Sequence, residues 1–244
     1  MNNFYEASKV FQEAITQYAW SIFKTYGREL VLRLEEYNLL QNKNNCIESS
    51  TAIGFVLEEF IVSKLEMFTH CSDEEYRIDR FTGATTQQCY DCFSIKDEIK
   101  FLVNIKAQKS GAQGNDAIAA ISQLHQAYCL DNPRQQKSFI VFKVIYSIAD
   151  AYEDTAYRRA KPRHIHIDEI KTYCIEEVDF SRGHQQDNRN WKSGATSSRN
   201  NGRLKISDAF KRSHKVSEDQ ISYINTYHQI HTIVKKNNDN QHHN

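Results

Sequence analysis

Residues 88–106 alternate between hydrophobic and polar side chains in a way that predicts a β-hairpin. The first arm, residues 88–95, is rich in aromatic and β-branched residues. In the second arm one face would hold Phe101, Val103 and Ile105, and the other would hold Lys100, Leu102, Asn104 and Lys106. The hairpin therefore offers one apolar face for a core and one polar face for chemistry.

A short polar turn at Asp97 and Glu98 joins the two arms. Pairing the arms symmetrically about this turn places Asp91 opposite Asn104, and Cys89 opposite Lys106. Directly opposed side chains share a sheet face, so we expect Asp91, Asn104 and Lys106 to lie together.

Helical spacing of apolar residues dominates the N-terminal region. Residues 3–41 are predicted to be helical, with Gly27 dividing them into two helices. A further helix is predicted over residues 49–68, with Ser or Thr at its start as N-caps. Its wheel places Glu58 on an arc with Gly54 and apolar residues, where a carboxylate needs a hydrogen bond, a cation or a metal.

The remaining patterns predict an α+β protein. Strands are predicted at residues 74–80 and 138–148, a helix at 115–130, a strand region at 164–178 and a last helix from Ser217. From residue 49 to 148 the order is helix, three strands, helix, strand, or αβββαβ.

Composition fits a globular protein of the cytoplasm. Apolar residues make up 40% and charged residues 25% of the 244 residues. The sequence has no apolar run of membrane-spanning length and no signal-peptide pattern at its N-terminus, so no membrane partner is expected. The six cysteines are scattered, which is typical of reduced thiols.

The formal net charge is zero, but residues 182–215 hold nine Lys or Arg and two acids. Such a basic segment on a neutral protein predicts contact with phosphates and base edges of double-stranded DNA. The candidate DNA-binding residues are Arg182, Arg189, Asn190, Lys192, Arg199, Arg203 and Lys205.

An acid, an amide oxygen and an ammonium on one sheet face point to phosphodiester cleavage. Carboxylate and amide oxygens bind hard divalent ions, and such an ion lowers the pKa of a bound water. Lys106 would orient that water or offset the charge that develops on phosphorus.

Asp91 followed by Asn104-Ile105-Lys106 resembles the D…(D/E)xK signature of the PD-(D/E)xK nuclease superfamily, in particular type II restriction endonucleases. Tyr90 stands where that family often has proline, and Asn104 replaces the second carboxylate, a replacement known within the family. The predicted αβββαβ order is also the family's core, a mixed central sheet flanked by helices.

The resemblance implies an enzyme that cuts a short, palindromic DNA sequence as a homodimer and leaves 5′-phosphates. It implies catalytic roles for Asp91, Asn104, Lys106 and Glu58, and a Mg²⁺ site (with Mn²⁺ as a substitute) formed by Asp91, Asn104, Ile105 and Glu58. The expected organisation is one nuclease domain, with a helical preface (1–45), a catalytic core (46–150), a DNA-recognition region (151–215) and a C-terminal helix and tail (216–244).

Other interpretations stay open. Glu98-Ile99-Lys100 is also an ExK triplet, although Glu98 would lie at the turn, far from Asp91. The same fold could serve a structure-selective nuclease, such as a junction resolvase or repair enzyme, or a DNA-binding module without catalysis. A zinc site at Cys89 and Cys92 is disfavoured, since residues three apart on a strand face opposite ways. His164, His166 and Asp168 share a strand face, which favours a DNA-facing or solvated surface over a metal site.

Overall fold

A computed structural model of the protein describes residues 2–27, 29–32, 50–81, 88–112, 116–120, 123–124, 126–132, 134–150, 163–175 and 203–206. Two helices are described, α1 (Asn2–Tyr26) and α2 (Ser50–Cys71), with a π-helical turn at Gln126–Leu130. The strands are β1 (Glu29–Leu32), β2 (Asp79–Arg80), β3 (Cys92–Lys96), β4 (Ile99–Lys109), β5 (Asp116–Ala120), β6 (Gln136–Asp150), β7 (Arg163–Cys174) and β8 (Arg203–Ile206).

Six of these strands form one mixed sheet in the order β1-β7-β6-β4-β3-β2. The pairing of β4 with β6 is parallel, and the other pairings in this sheet are antiparallel. Strands β5 and β8 form a separate antiparallel pair. The general α+β class expected from the sequence is therefore confirmed.

One face of the large sheet, here called the inner face, packs against α1 and α2. Alternate residues of β4, Phe101, Val103 and Ile105, lie in this core with Phe142 of β6 and Phe11 of α1. The rings of Phe11 and Phe101 stack with their centroids 4.3 Å apart. The other set of β4 side chains, from Lys100 to Gln108, forms the outer face.

The predicted hairpin register is confirmed from Lys96–Ile99 to Cys92–Val103. The turn residues Asp97 and Glu98 both have positive φ, 49° and 65°, as a two-residue type I′ turn requires. That turn matches the twist of the flanking strands, so a local signal was sufficient to fix the pairing.

Three local predictions are wrong. Residues 29–32 form strand β1 rather than a second helix, because the chain leaves α1 at Gly27 (φ 85°) and pairs with the edge of β7. The helix predicted over 115–130 is wrong at Asp116–Ala120, which form β5 and pair with the distant β8, whereas residues 123–124 are helical and Gln126–Leu130 form the π-helical turn. The strand predicted at 74–80 is reduced to Asp79–Arg80.

The helix predicted from Ser217 lies outside the described residues. Neither of the described helices combines the length and apolar character needed to cross a membrane.

The turn yields a stability prediction. A non-glycine residue at positive φ destabilises the folded state by roughly 1–2 kcal/mol, and glycine avoids this cost. Part of the gain is lost, because glycine also increases the conformational entropy of the unfolded chain. We therefore expect Glu98→Gly to raise the free energy of unfolding by roughly 0.5–1 kcal/mol, measured as a higher urea midpoint. Glu98→Gln, which removes the charge but keeps Cβ, should show no such gain, and a lower midpoint for the glycine variant would contradict the turn geometry.

Candidate functional site

The site is built on the edge of β4, beyond the point where β3 ends at Cys92. Alternate N–H groups of a strand face the same edge, so Ile105 and Ala107 are the next donors on that side. Asp91 Oδ2 accepts the Ile105 N–H at 2.6 Å, and Glu58 Oε1 accepts the Ala107 N–H at 2.9 Å. Since the two donors are two residues apart on one strand, their nitrogens lie about 7 Å from each other.

The backbone of Asp91 is fixed from both sides. Its N–H donates to the carbonyl of Val103 at 2.8 Å, and its own carbonyl accepts the Phe81 N–H at 3.3 Å. Val103 is also the ladder partner of Cys92, so Asp91 does not continue the ladder opposite Asn104 as predicted. Its carboxylate instead accepts the Ile105 N–H at the edge of β4, two residues before Ala107.

Asn104 lies on the outer face of β4 with only 5% of its surface exposed. Its Nδ2 donates to the carbonyl of Cys89 at 3.2 Å, so Cys89 lies beside Asn104 rather than opposite Lys106. Its Oδ1 is buried, and no hydrogen-bond donor reaches it among the described residues. A buried oxygen without a partner is costly, and a bound cation would satisfy it.

Glu58 comes from the arc of α2 that faces β4, as the helical wheel predicted. Gly54, one turn earlier, faces Ala107: a Cβ added at residue 54 would lie 3.8 Å from the Ala107 Cβ, an ordinary contact. The apolar side chains around this arc, including Ile53 and Leu57, are buried in the core. Packing of α2 therefore brings a carboxylate to a sheet edge that β3 leaves uncovered.

Burial dominates the electrostatics of both carboxylates. It raises the pKa of Asp91, and the nearby Lys106 charge and the hydrogen bond from Ile105 only partly offset this. The pKa of Glu58 is raised by burial in the same way, with the Lys106 charge and the Ala107 hydrogen bond acting against it. Neighbouring acids raise both pKa values further: Asp91 and Glu59 raise the pKa of Glu58, and Glu59 raises the pKa of Asp91. An additional positive charge nearby would therefore stabilise the ionised pair.

Arg80 of β2 was not identified from the sequence. It forms an ion pair with Glu59, donates to Ser63 Oγ at 3.0 Å, and its backbone N–H donates to Glu66 Oε1 at 3.3 Å. Glu59, Ser63 and Glu66 are spaced at helical intervals and share one face of α2, so two acids on this face were a sequence signal for a cationic partner. Arg80 ties α2 to the sheet edge and lowers the pKa of Asp91.

The alternative ExK triplet does not reach this site. Glu98 lies at the turn, and Lys100 is six residues from Lys106, or about 20 Å along the strand. Lys100 Nζ donates to the Tyr90 hydroxyl at 3.3 Å and lies 4.7 Å from the centre of the Phe93 ring. Burial raises the pKa of Tyr90 to about 12, so this hydroxyl stays protonated and Lys100 has a packing role.

An open pocket of about 400 Å³ adjoins Glu58. Its lining residues come from α2, the end of β4 and β6: Gly54, Phe55, Glu58, Ala107, Gln108, Lys109, Ala112 and Tyr146. Glu58 is thus reachable from outside the protein on the α2 side, whereas Asp91 does not line this pocket.

No three His, Cys, Asp or Glu side chains gather into a metal-binding group within the described part of the chain. Near Asp168, the His166 Nδ1 lies at 2.9 Å and the Ser147 hydroxyl donates at 3.0 Å, which makes a small polar cluster on β6 and β7. The β4 edge instead holds two carboxylates, and the Asn104 amide oxygen lies on the outer face of the same strand.

Of the residues predicted to bind DNA, Arg182, Arg189, Asn190, Lys192 and Arg199 lie outside the described residues. Arg203 and Lys205 belong to β8, which pairs with β5.

Comparison with models of known protein families gives no match for the chain. A comparison with curated proteins also finds no matching relative. Any functional conclusion therefore has to come from the site itself.

The buried carboxylate predicts a pH-dependent difference between two substitutions. Asp91→Asn keeps an oxygen for the Ile105 N–H but removes the charge whose burial raises the Asp91 pKa. Because burial raises the Asp91 pKa in the folded state, the fold loses stability as the pH rises from the unfolded-state pKa of about 3.9 to the folded-state pKa. Asp91→Asn should therefore be more stable than wild type at about pH 8, and the gap should close below about pH 3.5.

Asp91→Ala serves as the contrast, because it leaves the Ile105 N–H without its acceptor, at a cost of about 1–3 kcal/mol. It should be less stable than Asp91→Asn at both pH values. Chemical denaturation of the three proteins at each pH measures both effects. Equal stability of Asp91→Asn and wild type at high pH would contradict the burial argument.

Proposed function

We propose that this protein is a Mg²⁺-dependent DNA endonuclease of the PD-(D/E)xK kind, acting in the manner of a type II restriction enzyme. The observation that carries the proposal is that Asp91 and Glu58 accept alternate N–H groups along one edge of β4, with the Lys106 charge acting on both carboxylates. This arrangement suits the cleavage of an anionic substrate with help from a divalent cation.

The residues present fit a hard cation. Asp91 and Glu58 each use one oxygen for the backbone, Oδ2 and Oε1, which leaves their second oxygens for a ligand. The buried Asn104 Oδ1 adds a neutral oxygen that has no hydrogen-bond donor among the described residues. Mg²⁺ held by these oxygens would polarise a phosphate oxygen and acidify a water molecule.

Lys106 follows Ile105, whose N–H holds Asp91, so its ammonium is tied to the same stretch of backbone. In hydrolysis the water oxygen bonds to phosphorus, the P–O3′ bond breaks, and the departing O3′ takes up a proton. Lys106 orients the attacking water and offsets the charge on the phosphoryl oxygens. The products are a 3′-hydroxyl and a 5′-phosphate.

The order α2, β2, β3, β4 and the parallel pairing of β4 with β6 support the same proposal, since the family core has this sequence of elements. A homodimer would place two such sites on the two strands of a palindrome.

One observation favours a second candidate, a DNA-binding module without catalysis. Asn104 occupies the position of the second carboxylate, and its amide is hydrogen-bonded to Cys89 in the core. An amide binds cations more weakly than a carboxylate does.

Cleavage of plasmid DNA with Mg²⁺ tests the main proposal. Wild type should give discrete fragments, and Lys106→Ala and Asp91→Asn should each reduce the rate by at least about 100-fold. Lys100→Gln and Glu98→Gln are matched controls from the same hairpin, and they should cut like wild type. Loss of cleavage in the controls but not in Lys106→Ala would assign the activity to the Glu98-Ile99-Lys100 triplet.

Fragments that appear only from branched DNA, without regard to sequence, would identify a structure-selective nuclease. DNA binding without cleavage in either Mg²⁺ or Mn²⁺ would select the non-catalytic module.

Asn104→Asp tests the metal site without relying on activity. The new carboxylate cannot donate to the Cys89 carbonyl, so the metal-free variant should lose about 1–3 kcal/mol of stability. A second strong ligand should also increase the stabilisation by Mg²⁺, seen as a larger rise in melting temperature on titration. An equal Mg²⁺ response in wild type and Asn104→Asp would place the cation elsewhere.

A further inference from the structure

The pocket beside Glu58 lies where the inner face of β4 emerges from the core. Burial falls along the inner side chains of this strand: Ile105 is fully buried, Ala107 is partly buried and Lys109 is exposed. Lys109 pairs with Tyr146 of β6, which is only 1% exposed and also lines the pocket. The pocket therefore combines a buried aromatic floor with a cationic side chain at its exposed end.

The backbone adds a hydrogen-bond donor to the same end of the pocket. The N–H groups of Ile105, Ala107 and Lys109 point to one edge of β4, because the N–H groups between them face β6. Side-chain carboxylates accept the first two. The third, at Lys109, has no acceptor among the described residues, whereas the Lys109 carbonyl accepts the Ala112 N–H at 3.1 Å in a turn. This donor is therefore open to an oxygen of a ligand.

The lining side chains define the chemistry of that ligand. Only Glu58 and Lys109 among them carry charge. The ammonium and the N–H of Lys109 can bind oxygens of one phosphate group. Phe55 lines the pocket from α2 and is 63% exposed, so its ring is free to pack against the apolar side of a sugar. A cation, a backbone donor and an exposed ring together suit a sugar-phosphate unit.

Size and position relate this unit to the candidate metal site. The pocket of about 400 Å³ is at the small end of the range for small-molecule sites, so it admits one nucleotide unit and not a duplex. The Lys109 nitrogen lies two residues, or about 7 Å, beyond the Ala107 nitrogen whose proton Glu58 accepts. A phosphate held at Lys109 is therefore a neighbour of the phosphate that is cleaved.

We propose that this pocket holds the sugar-phosphate unit next to the cleaved bond, with the Lys109 ammonium and N–H on its phosphate and the Phe55 ring against its sugar. This inference rests on the proposed function and extends it, since it names two positioning residues and the side of the site on which the DNA strand continues. Neither residue contacts the reacting atoms, so both act by fixing the register of the substrate.

The test separates the charge from the ring. Binding of a fluorescent DNA duplex is measured by anisotropy over a range of salt concentrations, with the full-length protein in EDTA so that the probe stays intact. Lys109→Gln should weaken binding and reduce the slope of log K against log salt by about 0.9, the value for one phosphate contact. Lys109→Arg should restore both, because it keeps the charge. Phe55→Ser should weaken binding without changing the slope, because no charge is lost.

Matched controls are Val56→Ser, at a 50% exposed neighbour of Phe55 that does not line the pocket, and Lys24→Gln, at an exposed lysine of α1. Both should bind with the affinity and slope of wild type. If Lys109→Gln and Phe55→Ser lowered the urea midpoint and left DNA affinity unchanged, the two residues would be structural only, which would overturn the proposal.

The backbone donor has its own readout. In a proton–nitrogen NMR spectrum of the full-length protein, titration with a deoxydinucleotide in EDTA should shift the amide signal of Lys109. The shift should shrink in Phe55→Ser, because the sugar loses its contact. A Lys109 amide signal that the dinucleotide leaves unmoved would contradict the proposed phosphate position.

The two proposals can fail separately. Cleavage by the wild type with Mg²⁺, together with unchanged DNA affinity in Lys109→Gln and Phe55→Ser, would refute the pocket and leave the nuclease intact. The expected losses of affinity in a protein that never cuts DNA would support the pocket and refute catalysis. No binding to duplex or single-stranded DNA at low salt would refute the pocket as a DNA site outright.

Discussion

The structure depends on how the backbone N–H groups at the edge of β4 find hydrogen-bond acceptors beyond the end of β3. Buried N–H groups must find an acceptor, and a strand edge without a neighbour leaves a row of them. Here Asp91 and Glu58 supply side-chain oxygens to Ile105 and Ala107 in place of a strand. The requirement for backbone hydrogen bonding therefore holds two carboxylates on neighbouring donors of one strand edge, which is the basis of the candidate site.

This solution carries an electrostatic cost. Burial raises the pKa of both carboxylates despite the Lys106 charge, so their ionised forms are held at the expense of stability. Arg80 limits the cost by lowering the pKa of Asp91 while it fastens α2 through Glu59 and Ser63. A locally unfavourable arrangement that the surrounding fold enforces is characteristic of functional sites.

The sequence could predict the features that depend on residues close together along the chain. The hairpin register follows from a two-residue turn at Asp97, and Glu58 follows from the wheel of one helix. The failures involve distant partners: β1 pairs with β7, and β5 pairs with β8, neither of which periodicity can reveal.

Strand β4 has three separate structural roles, because its side chains alternate between two sheet faces and its backbone N–H groups line an edge. Its inner side chains, such as Val103, fix the helices; its edge N–H groups hold the carboxylates; and its outer side chains include Asn104 and Lys106. A slip of one residue would exchange the inner and outer sets, burying Lys106 in the core. The same apolar contacts that stabilise the sheet therefore determine which way Lys106 points, so packing on the inner face fixes its position in the candidate site.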